Sequence, residues 1–128
     1  MFKYLQNDWK KEQNIIQSKY EYFVEQYLIE CGIYYIKQKR YDDCRNIRAL
    51  PFDFYLPDYN YIIEVHGEQH YYENDMFEET LEHRQYIDKI KEDYCHNNGI
   101  GFVAIPFWLI VNSHQVKRYK EIINNIIS

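Results

Sequence analysis

At 128 residues the chain is long enough for one hydrophobic core and too short for two domains. Of these residues 46% are apolar and 19% aromatic, which excludes intrinsic disorder. A net charge of −5 argues against a uniformly basic nucleic-acid-binding surface but leaves local basic patches open.

No apolar run reaches the roughly 20 residues of a membrane-spanning helix, and Met1 to Lys11 is too polar for a secretory signal. A cytoplasmic protein without a membrane partner is therefore expected. Three cysteines, Cys31, Cys44 and Cys95, form an odd set with no CxxC pair. That spacing fits free, mostly buried thiols rather than a disulfide framework or a structural zinc site. The 15 tyrosines run through the whole chain, as fillers of half-buried faces or as stacking surfaces for bases.

Met1 to Gln17 has a helical pattern and reads as an arm ahead of a single domain, 18–128. Ser18 and Glu21 fit a capping box, followed by Phe23, Val24, Tyr27 and Leu28 at helical spacing and by Gly32 as the C-terminal cap. Ile33 to Gln38 favours a strand and Asp42 to Arg48 a loop. Lys37, Lys39, Arg40, Arg45 and Arg48 make one basic stretch, either a solvated face or a contact for nucleic-acid phosphates; Lys117, Arg118 and Lys120 make another. Phe52 to Leu56 and Tyr61 to Val65 read as strands joined by the turn Pro57-Asp58-Tyr59-Asn60. Thr80 to about Asn97 is helical, with Leu81, Ile87, Ile90 and Tyr94 inward and Asn98-Gly99 as its stop. Phe102 to Ile105 is a short buried strand ended by Pro106. Asn112 or Ser113 then caps a last helix carrying Val116, Tyr119, Ile122, Ile123 and Ile126. The order is α-β-β-β-α-β-α: an α/β fold of the mixed-sheet kind, flanked by helices in three layers.

The hairpin from Phe52 to His66 carries the chemistry. Alternation puts Phe52, Phe54 and Leu56 on one face, with Asp53 and Tyr55 on the other. A four-residue turn pairs Leu56 with Tyr61, hence Phe54 with Ile63 and Asp53 with Glu64. Like charges opposite each other destabilise a sheet. A shared proton or a bound cation relieves the repulsion, and Mg²⁺ takes such oxygen ligands; a wet sheet face is the other outcome.

The runs Leu50-Pro51-Phe52-Asp53-Phe54-Tyr55-Leu56-Pro57 and Ile63-Glu64-Val65-His66-Gly67-Glu68-Gln69-His70 resemble the PD-(D/E)XK nuclease superfamily, in its small phage, homing and very-short-patch-repair-like branches. Including the flanking Ser18-Lys19-Tyr20-Glu21 and Asp88-Lys89-Ile90-Lys91, the resemblance spans about residues 18 to 107. It implies a DNA endonuclease in which Asp53, Glu64 and the Val65 carbonyl hold Mg²⁺ or Mn²⁺, and Glu21 completes the shell or orients the water. A domain this small implies a dimer or a larger partner for specificity. A non-catalytic relative that binds nucleic acid or protein is the alternative.

One departure stands out: His66 occupies the position where the superfamily usually has lysine. Either His66 takes the role in altered form, or Lys91 supplies the cation from the later helix. Asp88 and Lys91, one helical turn apart, also fit a surface ion pair, the favoured reading. Gln69 and His70 lie near the same strand end and are expected to contact the phosphate or leaving group. His83, His96 and His114 read as surface residues. Gly32 to Ile36 imitates a GIY-YIG signature, but with both halves on one strand, and is read as chance.

Overall fold

The computed structural model describes residues 18–111 and 118–128. The N-terminal arm and the Asn112 or Ser113 cap lie outside these residues, as do Val116, Lys117 and His114. Three helices and a four-stranded mixed sheet form the α/β fold that the chain order predicts.

Helix α1 spans Lys19–Glu30, and the Ser18 side chain accepts the Glu21 N–H at its start. At its end Gly32 takes φ +70, and the Ile33 and Gly32 N–H groups return to the Leu28 and Ile29 carbonyls. That is a Schellman closure, which needs a residue free to adopt a left-handed conformation. Val24 and Leu28 are buried with Tyr20, whereas Phe23, expected inward, is exposed.

Strand β1 spans Ile36–Arg45 and β2 spans Ala49–Leu56. Both are longer than expected: the segment read as a loop, Asp42 to Arg48, is strand up to Arg45 and bends only at 46–48. Its inward side chain, Cys44, is buried among Phe52, Ile62 and Cys95. Ile33 to Tyr35 lie ahead of β1, so the Gly32–Ile36 run is not one strand.

Strand β3 spans Tyr61–His66, α2 Leu81–Asn97, β4 Gly101–Pro106 and α3 Arg118–Ile127. The sheet order is β1-β2-β3-β4, antiparallel except for β3 and β4, which run parallel across the α2 crossover. Helices α1 and α3 pack on one face through Val24, Leu28, Tyr119 and Ile123. Helix α2 covers the other face through Cys95, Ile90 and Tyr94. Covered on both faces, β3 is buried from Ile62 to His66, as central strands of such sheets are.

The hairpin register is Leu56↔Tyr61 and Phe54↔Ile63, set by the Pro57–Asn60 turn with Asn60 at φ 49. One face assignment fails. Phe54 and Leu56 pack beneath α1 and α3, but Phe52 packs on the α2 side. Gln38, in register with Asp53 between the Lys37↔Phe54 and Lys39↔Phe52 pairs, has φ 56. Strand alternation therefore breaks at Asp53.

Gly101 sits opposite Tyr61 on the parallel pair, where an added Cβ would overlap the tyrosine ring. Gly101→Ala should lower stability by about 1–3 kcal/mol, the usual cost of overpacking. A urea titration followed by circular dichroism checks this; an unchanged midpoint would mean that the Tyr61 ring moves aside freely.

Candidate active site

The broken alternation has a consequence in the hydrogen-bond ladder. Beyond Phe54↔Ile63 the strands exchange side-chain bonds instead of backbone ones: Asp53 N–H donates to Glu64 Oε2 at 2.8 Å, and Val65 N–H donates to Asp53 Oδ2 at 2.7 Å. Each carboxylate thus satisfies a backbone donor of the opposing strand, which fixes both rotamers. The expected juxtaposition of Asp53 and Glu64 is present.

Lys91 is the surprise. It is buried in α2, with Nζ 2.6 Å from Glu64 Oε1 and 5.1 Å from the Phe52 ring centroid. Ile87, Lys91 and Cys95 form the buried stripe of α2, so Lys91 points inward at four-residue spacing. The expected surface pair with Asp88 is not what forms. Asp88 accepts instead from Arg84 Nε at 3.2 Å and lies 2.8 Å from His70 Nδ1.

A cavity of about 520 Å³ opens over this group. Glu21, Asp53, Glu64, Val65, Gln69, His70 and Lys91 all line it, as do Arg40 and Arg48. Among the other basic candidates, Lys37 pairs with Glu25 at 3.2 Å, Lys39 lies over the Tyr41 and Tyr55 rings, and Arg45 donates to the Asp42 carbonyl. Arg40 donates to the Ala49 carbonyl and so helps to hold the hairpin that presents Arg48. Lys91, by contrast, is buried and lines the cavity. Tyr20 Oη donates to Glu68 Oε2 at 2.7 Å, tying α1 to the short 3₁₀ turn Glu68–His70 that carries Gln69 and His70.

Electrostatics separate the two central acids. Burial, then the charges of Glu64 and Glu21, push Asp53 well above the usual carboxylate range, against the Val65 N–H and Lys91. Burial also works to raise Glu64, but His66, the Lys91 ammonium and the Asp53 N–H hold it below its ordinary value. Glu21 is raised, chiefly by burial, with Lys37 opposing and Glu64 adding to the shift. Two of the three carboxyl groups around this lysine are thus held toward their neutral forms, and a hard divalent cation would stabilise their ionised, oxygen-rich set. His70 is lowered by burial despite its bond to Asp88, so its imidazole is neutral near pH 7.

His66 ends β3 beside this group. Its ring stacks on His70 at 3.8 Å and 8°, and Nε2 is 3.7 Å from Glu64 Oε1, too far for a hydrogen bond. Asp88 was missed as a site residue, and for Lys91 the inward cation was the less favoured of two readings. The signal for Lys91 was there in its spacing from Ile87.

No protein-family model matches the chain, and no solved structure gives a significant match. The chain is similar to the uncharacterized protein 033L of Invertebrate iridescent virus 3, at 34% identity over 61 residues. The match covers 45% of this chain and 31% of that viral protein, whose name states no activity. Among the described residues no helix is long and apolar enough to cross a membrane.

The raised Asp53 sets a sign. A carboxyl whose folded pKa exceeds its unfolded one favours folding while protonated, and that contribution is lost as pH rises through the folded pKa. In chelator at pH 7, Asp53→Asn should therefore raise Tm, by about 4 °C for each kcal/mol relieved. Glu64 runs the other way: its contribution is present above the unfolded pKa and lost as pH falls through the lowered one. Glu64→Gln should lower Tm at pH 7 and approach wild type in acid. Thermal scans across pH check both signs.

Proposed function

We propose that this chain is a divalent-metal-dependent nuclease that hydrolyses phosphodiester bonds of DNA, a PD-(D/E)XK-type enzyme whose lysine comes from helix α2. One observation carries the reading: Asp53 and Glu64, locked on adjacent strands, share a cavity with Glu21 and with Lys91 at 2.6 Å from Glu64. That is a set of oxygen ligands beside one fixed cation, as in-line displacement at a phosphate requires.

Asp53, Glu64 and the Val65 carbonyl would hold Mg²⁺ or Mn²⁺ in this reading, with Glu21 completing the shell or orienting the water. When bound, the ion would supply Lewis-acid polarisation of the phosphoryl oxygen and a lowered pKa for a water nucleophile. Lys91 neutralises part of the charge that develops on the phosphate, in the role the sequence pattern would give to position 66. His70, neutral and oriented by Asp88, is suited to exchange a proton with the water or with the leaving oxygen. Arg40 and Arg48 at the cavity rim contact flanking phosphates, offsetting the acidic balance of the chain. Specificity is left to a second copy or to a larger partner.

Cleavage of supercoiled plasmid in Mg²⁺, Mn²⁺ or EDTA tests the reading. Metal-dependent cleavage is expected, with Asp53→Asn and Lys91→Met each slowing it by at least about 100-fold. Cleavage that survives both substitutions would sink the proposed site. Metal-independent binding of DNA without cleavage would favour the non-catalytic alternative.

A further inference from the structure

Beside the carboxylate pair lies a group of different chemistry. His66 ends β3, His70 closes the 3₁₀ turn, and Asp88 faces them from α2. One donor atom from each lies within 4.8 Å of the others. Both histidines are buried, and Asp88 is half-buried.

Two features of this group suit a bound ion. His66 Nε2 is buried with no hydrogen-bond partner among the described residues. An unpaired buried nitrogen is costly, and metal coordination is one of the ways an imidazole nitrogen is satisfied. The second feature is support around the acid: Asp88 Oδ1 accepts from Arg84 Nε at 3.2 Å while Oδ2 faces His70. That arrangement leaves the carboxylate oriented toward the histidines by a second residue, as ligating carboxylates commonly are.

We propose that His66, His70 and Asp88 form a second metal site, one that takes Zn²⁺ or a similar imidazole-preferring ion rather than Mg²⁺. Two imidazoles and one carboxylate are a borderline-soft donor set, which Mg²⁺ binds poorly and Zn²⁺ binds well. Three protein ligands leave a fourth position for water or a substrate oxygen. His70 and Arg84 both line the cavity, which gives the ion a path from solvent.

The group is assembled in position but not yet in orientation. Tetrahedral zinc with bonds of about 2.0–2.1 Å sets its ligand atoms about 3.3 Å apart. The 2.8 Å contact between His70 and Asp88 must therefore lengthen slightly, and His66 must draw in. The parallel histidine stack must also open, because a metal lies in the plane of each imidazole that binds it. These are side-chain rotations at a strand end and a short turn, with no change of fold. The site does not rest on the nuclease reading, but an ion held here takes His70 and Asp88 and so replaces the proton-exchange role given to His70 above.

The test uses the full chain, stripped with chelator and held in excess Mg²⁺ so that the oxygen-rich position is occupied. Zn²⁺ is titrated against a chromophoric chelator, and Co²⁺ is added in parallel for its visible absorption. One saturable ion per chain is expected, with Co²⁺ bands of tetrahedral nitrogen and oxygen coordination. His66→Gln and Asp88→Asn should each weaken Zn²⁺ by at least about 10- to 100-fold. Asp53→Asn, and Cys31→Ser at the exposed thiol, should leave it unchanged. His66→Gln breaks no hydrogen bond at Nε2, and circular dichroism verifies that each variant is folded. Absence of saturable Zn²⁺ binding would overturn the site. So would binding that survives both His66→Gln and Asp88→Asn, or that is lost in Asp53→Asn.

Discussion

Much of this structure depends on a local failure of the β-ladder. Where β2 and β3 would continue their backbone pairing, Asp53 and Glu64 each accept an N–H from the opposing strand. A backbone donor left unpaired in that interior would be costly, so the carboxylates are held in place by the sheet's own hydrogen-bonding needs. Two acids side by side would repel if both were charged. Lys91 removes that obstacle for Glu64, and burial moves Asp53 toward its neutral form. The site is therefore one electrostatic unit drawn from three elements: the hairpin, α2 with its inward lysine, and α1 with Glu21.

The hairpin was legible because its register follows from the turn. Pro57 to Asn60 is bounded by alternating strands, and counting outward from a four-residue connection leaves no freedom in which residues oppose each other. The helix caps at Ser18 and Gly32 were legible for a similar reason: each is a local rule that the distant chain does not override. Phe52 was not. Its change of face coincides with a left-handed backbone at Gln38 on the neighbouring strand, a residue type that gives no warning of it. The extension of β1 was hidden by the charges of Asp42, Asp43 and Arg45, which look like loop although Cys44 between them turns inward.

Lys91 was misread for a different reason. A lysine one turn from an aspartate looks like an exposed pair. The spacing from Ile87 to Cys95 puts position 91 on the buried stripe, where a lysine needs a buried acid. Glu64, already identified on β3, was that acid. A charged residue in register with an apolar stripe thus carries information of its own: it asks which opposite charge the fold brings to meet it.

Glu64 also limits how the two halves of the cavity act. One of its oxygens lies 2.6 Å from Lys91 and 3.7 Å from His66, so it is the link between the acid pair and the histidines. If the proposed cation binds Glu64, it would compete with Lys91 for the same carboxylate and free the ammonium for negative charge entering the cavity. An anionic substrate supplies that charge. Substrate and hard cation would then favour each other's binding, because each takes a partner that the other displaces. Under the proposed function, the 2.6 Å contact between Lys91 and Glu64 would be the arrangement before a phosphate enters.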